Sequence, residues 1–390
     1  MVYKFTYTTK KLHSIKKKLR SNLDLNWEKK FLVNRTAIEV LVMNVPFVDL
    51  KRLHEPIRKE IDFAIKSVID TNSFVLGETV ENFEKSFANY VGTKESVTTS
   101  NGTSALHLAL LVAGVKPKDE VITVPNTFFA TAEAISHCGA IPVFVDIGPD
   151  FNIDVEKIES AITDKTKAIV PVHLYGNPCD MKRIKEIAER HSFAIVEDCC
   201  QAHGAKVGKV GDFGCFSFYP VKNLGSFGEG GIVVGKDLEQ IKILRAHGEQ
   251  PKNFHKVIGY NYRMPALQAA ILNVKLKYLD EWNRSRINSA KIYSKLLSTK
   301  FWINSVYHLY VIRLNERDKV RKSLKSKGIA TGIHYPIPIY LQPAYSFLNV
   351  KAGHCPEAEK AAKEIISLPL FPFMEKEEIK YVVEEINCLQ

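Results

Sequence analysis

Short apolar runs alternating with helix-period segments constrain this chain more than any other feature. Val121–Val124, Ile141–Val145, Ala168–Val172 and Ala194–Val196 have strand length and strand composition. Among them lie stretches with helical spacing: Ala105–Val112, Phe128–His137, Val155–Ile162 and Met181–His191. Strands that are apolar throughout must be covered on both faces, which predicts an α/β fold with a mostly parallel sheet flanked by helices. In such sheets ligands bind beyond the carboxyl ends of the strands. Three polar clusters fall there, at 101–104, 125–128 and 197–203.

The pattern continues with strand-like Cys215–Tyr219, which leads to Lys222 and a turn rich in glycine (Gly225, Gly228, Gly230, Gly231), then strand-like Ile232–Val234. A long helical pattern spans Pro265 to about Leu297. Beyond it come a strand over His308–Leu314 and helices over Asp318–Lys327, Pro356–Ile366 and Lys376–Ile386. The expected division is a basic N-terminal extension, 1–42, a large domain, 43–285, and a smaller C-terminal α+β domain, 286–390.

Composition narrows the function classes. The 390 residues are 45% hydrophobic and 25% charged, ordinary for a globular protein, and no apolar run is long enough to span a membrane. The net charge of +11 invites a nucleic-acid reading. It is unevenly spread, because residues 1–42 hold ten Lys and Arg against three acids. That extension reads as a solvated tail, as translated sequence ahead of a start at Met43, or as an anion-binding arm. The body is only mildly basic, so neither nucleic acid nor membrane is expected as a partner. The seven cysteines are odd in number and form no CxxC pair, so neither a disulfide frame nor a metal site is expected. Cys199 and Cys200 read as part of a short buried strand.

Several residues carry chemistry when taken together. Asn101-Gly102-Thr103-Ser104 opens a helix, where unpaired N–H groups and the helix dipole favour an anion. Asp198 ends an apolar strand and would suit a pyridinium nitrogen, with Gln201 three residues on. Lys222 follows an apolar strand, and Ser217 lies five residues before it. A lysine there can form a Schiff base if its pKa is lowered. Phe128 offers an aromatic face. Singly, these read as an N-cap, a solvated carboxylate, a surface charge and a core aromatic. In this order they match what pyridoxal phosphate requires.

From about Asn44 onward the chain resembles the DegT/StrS-type nucleotide-sugar aminotransferases, pyridoxal-phosphate enzymes of fold type I. The resemblance rests on VPFVDLK (45–51), SNGTSALHLAL (100–110), PNTFFATAEAI (125–135), VHLYGNPCDM (172–181), VEDCCQAHGA (196–205), FSFYPVKNLGSFGEGG (216–231) and IGYNYRM (258–264). It implies that Lys222 holds the cofactor covalently and that Asp198 pairs with the ring nitrogen. It further implies that Gln201 meets the ring hydroxyl, that Phe128 stacks on the ring, and that Gly102, Thr103, Ser104 and Ser217 bind the phosphate. Asn261 would reach the phosphate of a partner subunit, so a homodimer with shared active sites is implied.

The implied reaction is ping-pong transamination from L-glutamate to a nucleotide-linked keto-sugar in the cytoplasm, serving deoxyamino-sugar synthesis for an O-antigen or other surface glycan. Tyr219, where many relatives that aminate C-4 carry His, resembles the C-3 subgroup, as do VYHLYVIR (306–313) and TGIHYPIP (331–338). The expected reaction is dTDP-3-keto-6-deoxyhexose to dTDP-3-amino-3,6-dideoxyhexose, with Tyr219, His334 and Tyr335 as substrate contacts. C-4 amination and a non-catalytic regulator of the same fold are the alternatives. Two departures stand out: the segment 298–306 is shorter than the resemblance leads one to expect, and Tyr340 stands where the subgroup commonly has His.

Overall fold

The computed structural model describes residues 43–389, and Asn44–Gln390 form one compact unit. The basic extension lies outside the described residues. The centre of the compact unit is a seven-stranded sheet in the order β1-β7-β6-β5-β4-β2-β3. The strands are β1 (Glu95–Thr99), β2 (Glu120–Thr123), β3 (Ile141–Phe144), β4 (Thr166–Ile169), β5 (Ala194–Asp198), β6 (Phe213–Ser217) and β7 (Gly231–Gly235). β7 is antiparallel to both of its neighbours, and the other pairings are parallel. Six strands therefore end on one edge, and β7 begins there. The loops after β1, β2, β5 and β6 all open on that edge.

Helices cover both faces. They include α1 (Arg58–Thr71), α2 (Glu78–Val91), α3 (Gly102–Val112), α4 (Ala130–His137), α5 (Met181–His191), α6 (Ala266–Leu276) and α7 (Leu279–Leu296). The strand period of two sorts the side chains between the faces. Cys215 and Val233 join Val97, Ala105, Leu106 and Val196 in one core. Phe216, Ile232 and Val234 join Phe83, Phe87 and Leu272 in another. A further core gathers Tyr293, Tyr307, Ile312, Leu324, Ile366 and Val382 around α8 (Arg317–Ser326), α10 (Lys376–Asn387) and the two-stranded sheet of β8 (Tyr310–Arg313) and β9 (Ile365–Leu368).

The structure corrects four readings. The stretch 155–162 forms two 3-10 turns, Val155–Lys157 and Glu159–Ala161, because Ile158 alone is buried and offers too little apolar face for a longer helix. The pattern from Pro265 to Leu297 is not one helix but divides at Lys277–Tyr278 into α6 and α7. Helix α9 (Pro356–Glu364) stops before Ile365, whose β-branched run pairs with β8 instead. Arg317 supports this switch by donating to the carbonyls of Ala362 and Ile365 at 3.3 and 2.8 Å. Cys199 and Cys200 lie just beyond β5, where Asp198 has already ended the strand.

Candidate active site

The loop after β1 becomes α3 through a reciprocal cap. Asn101 Oδ1 accepts from the Ser104 N–H at 2.8 Å, and Ser104 Oγ accepts from the Asn101 N–H at 3.0 Å. The Ala105 N–H bonds the Asn101 carbonyl. The N–H groups of Gly102 and Thr103 are left without a partner among the described residues, in the position that suits an anion. The Ser104 hydroxyl serves the cap. At Gly102 a Cβ would lie 2.7 Å from Ser217 Cβ and 3.0 Å from Cys200 Sγ. Only glycine lets the start of α3 approach the ends of β5 and β6 this closely. Gly102 and Ser217, which are far apart in sequence, thus come together.

Asp198 is 5% exposed at the end of β5. Oδ2 accepts from the Thr131 hydroxyl at 2.8 Å and Oδ1 from the Cys200 N–H at 3.1 Å. These fix the carboxylate's orientation while leaving lone-pair capacity for a cation. Gln201 is buried. Its Oε1 accepts from the Tyr175 N–H at 2.8 Å, and its Nε2 donates to the Tyr335 hydroxyl at 3.1 Å, which leaves one N–H to spare.

Lys222 sits on the loop after β6. Burial pushes its amine pKa down, and nearby Cys200 and Asp198 oppose this in part. Around it, burial also lowers three imidazoles: His203 to about 3, His334 to about 4, and His308 well below the ordinary range. Lys222 contributes to all three, so these histidines are neutral neighbours of the lysine near neutral pH.

Phe128 is 56% exposed and lies 5.9 Å from the Tyr335 ring, centroid to centroid. Burial first, and then Asp198, raise the Tyr335 phenol. His334 stacks on Phe47 at 5.7 Å, and its Nδ1 pairs with the Ser367 hydroxyl at 2.8 Å. Tyr219 is half-exposed at the start of the lysine loop. Asn261 is not joined to this group. It is exposed, and its Oδ1 accepts from Arg263 at 2.9 Å. Tyr340 is buried, with its hydroxyl donating to Glu359 at 2.5 Å, so it belongs to the core rather than the site.

The residues present fit pyridoxal phosphate. The free helix N–H groups suit its phosphate, the oriented buried carboxylate its ring nitrogen, and the amine of lowered pKa its aldehyde. Sequence reasoning missed Thr131, and the signal was its place three residues after Phe128 in the same loop-to-helix turn. It also missed Glu197, which is fully buried beside Asp198. Glu197 accepts from the N–H groups of Gly208, Val210 and Gly211 at 2.8, 2.9 and 2.7 Å and from His173 at 2.9 Å. His173 Nδ1 accepts from the Cys179 N–H at 3.0 Å, which places the imidazole proton on Nε2, facing Glu197. His173, Glu197 and Cys199 offer ligand atoms within 4.8 Å of one another, but both nitrogens of His173 are already committed.

Comparison with known proteins identifies the family. The DegT/DnrJ/EryC1/StrS aminotransferase family matches residues 55–387. A "pleiotropic regulatory protein" of Geobacillus stearothermophilus is 45% identical, over 88% of this chain and 98% of its own length. A dTDP-3-amino-3,6-dideoxy-alpha-D-galactopyranose transaminase of Aneurinibacillus thermoaerophilus is 41% identical, over 88% of this chain and 99% of its own. Among solved structures, Streptomyces venezuelae DesV in complex with a ketimine intermediate is 40% identical with a TM-score of 0.86, covering 89% of this chain and 98% of that one.

Proposed function

This chain belongs to the DegT/DnrJ/EryC1/StrS aminotransferase family, and we propose that it moves the amino group of L-glutamate to C-3 of dTDP-3-keto-6-deoxyhexose. It is a pyridoxal-phosphate-dependent nucleotide-sugar aminotransferase. When bound, the cofactor supplies an electron sink and carries the amino group between the two substrates.

The chain's own residues do the rest. The N–H groups of Gly102 and Thr103, with Ser217 packed against Gly102, hold the phosphate, and Ser104 preserves that helix end. Asp198, steadied by Thr131, holds a proton on the ring nitrogen. Gln201 donates its spare N–H to the ring hydroxyl, and Phe128 covers one ring face. Lys222 Nζ, whose pKa burial has lowered, would anchor the cofactor and, once freed by the incoming amine, would shuttle a proton between the substrate carbon and the cofactor as general base and then general acid. Tyr219, His334 and Tyr335 line the sugar side. The convergence of Lys222, Asp198 and the α3 N-terminus on one sheet edge carries this reading.

A homodimer in the cytoplasm accompanies it, feeding surface-glycan synthesis. Asn261 is exposed near Ile258, which leaves 95% of its surface bare, and a second copy over this stretch would bring Asn261 to the partner's phosphate site. The 43–285 and 286–390 division remains our reading of the domains.

The test is purified protein with pyridoxal phosphate, glutamate and either a 3-keto or a 4-keto dTDP-sugar, the product being read by NMR. Amination at C-3 is expected. Amination only at C-4 refutes the substrate. Failure to absorb above 400 nm, or to bleach with borohydride, favours a regulator of the same fold.

A further inference from the structure

We propose that Lys275 is a positioning residue for Lys222, acting through the backbone of the loop that carries it; this rests on the reading of Lys222 as the reacting amine. Lys275 lies on α6 and is 0% exposed. Among the described residues, no carboxylate pairs with it. Its Nζ donates to the Gly225 carbonyl and to His54 Nε2, the latter at 3.0 Å. The rings of Phe227 and Trp282 lie 5.4 and 5.8 Å away. Burial, and then Lys275 itself, push His54 down to about 4, so its nitrogen lone pair stays available to accept.

A lysine amine buried without a counter-ion costs stability, and a methionine would fill the same space without that cost. The group that Lys275 holds explains its presence. Gly225 lies three residues after Lys222 in a tightly folded loop. A Cβ on Gly225 would fall 2.2 Å from the Pro220 carbonyl oxygen, so the two backbones touch. The Lys222 N–H bonds the Tyr219 carbonyl at 2.9 Å, and the Ser226 N–H bonds that of Phe218 at 2.8 Å. Gly225 therefore cannot move without moving 219–222. The same helix supplies a second tether, because Gln268 Oε1 accepts from the Phe227 N–H at 2.8 Å. On the other side, Asn223 Nδ2 donates to Asn283 Oδ1 at 2.8 Å and to the Val306 carbonyl at 3.1 Å. Lys275 closes this set of anchors and fixes where the Lys222 side chain begins.

The test uses holoenzyme carrying Lys275→Met or Lys275→Gln. The readouts are the pH titration of the absorbance above 400 nm from the cofactor held by Lys222, and the urea unfolding midpoint. Lys275→Met should move the titration midpoint by about half a pH unit or more while the unfolding midpoint holds or rises. Lys275→Gln keeps an N–H donor and should recover part of the shift. An unchanged titration in Lys275→Met overturns the proposal. So do equal shifts in both variants accompanied by lost stability, which is the signature of packing alone. If the wild type takes up no cofactor, the reading of Lys222 fails first, in the control arm, and this proposal falls with it.

Discussion

Consider Glu197→Gln. The carboxylate of Glu197 accepts four hydrogen bonds: Val210 and Gly211 donate to Oε1, and Gly208 and His173 donate to Oε2. A glutamine keeps one oxygen and turns an NH2 group toward the other pair of donors. Flipping the amide only changes which pair is affected. His173 cannot relieve the conflict, because moving its proton to Nδ1 would oppose the Cys179 N–H. Two N–H groups lose their acceptors in either orientation, buried on the Oε2 side and part-buried on the Oε1 side, at about 1–3 kcal/mol each, so the expected loss is about 2–6 kcal/mol.

Burial alone would raise the Glu197 pKa, but His173 and the N–H groups of Gly211 and Gly208 outweigh it and hold the carboxyl below its ordinary value. A carboxyl lowered in the fold adds stability that is present above the unfolded pKa and lost as pH falls through the folded one. The gap between wild type and variant should therefore be level near neutral pH and shrink below about pH 4. Urea unfolding of the cofactor-free proteins at several pH values measures both quantities. A loss under about 1 kcal/mol at pH 7, or a gap that does not close in acid, would refute the reasoning.

Three more outcomes follow from the geometry. Gly102→Ala forces a methyl group against Ser217 and Cys200, overpacking at about 1–3 kcal/mol, and should weaken cofactor binding about tenfold or more in a fluorescence titration; unchanged affinity would count against the cradle. The Lys275 pKa falls from 10.5 to about 7, so the unfolded chain binds more protons between those values. Its contribution to stability should rise with pH across that window by at most about 1.4 kcal/mol per unit, and parallel curves for wild type and Lys275→Met would exclude it. Mixing inactive Lys222→Ala with inactive Asn261→Ala should restore activity through one intact shared site, whereas silence on mixing would speak against a dimer that shares its sites.

The alternation of apolar strands and helices, and the polar clusters after them, were legible because burial on both faces demands unbroken apolar runs, and ligand chemistry demands polar residues where those runs end. The lysine, the aspartate and the helix-opening Gly-Thr-Ser all stand at such ends. The misread elements share a cause. Ile365–Leu368 belongs to β9 because Tyr310–Arg313 offers it a partner, and 155–162 forms two turns because only Ile158 finds a core. Local periodicity contains neither fact.

The amino-acid sequence by itself determined the sheet, the edge on which its polar clusters gather and the residues placed there, since each follows from local pattern and side-chain chemistry. Only the tertiary structure decided what holds those residues in place. Thr131 orients Asp198, His173 and three loop N–H groups fix Glu197, and Lys275 grips the loop of Lys222 across 50 residues. Those contacts join groups remote in the chain, and they form only when water is excluded from between them, which the packed fold alone can do.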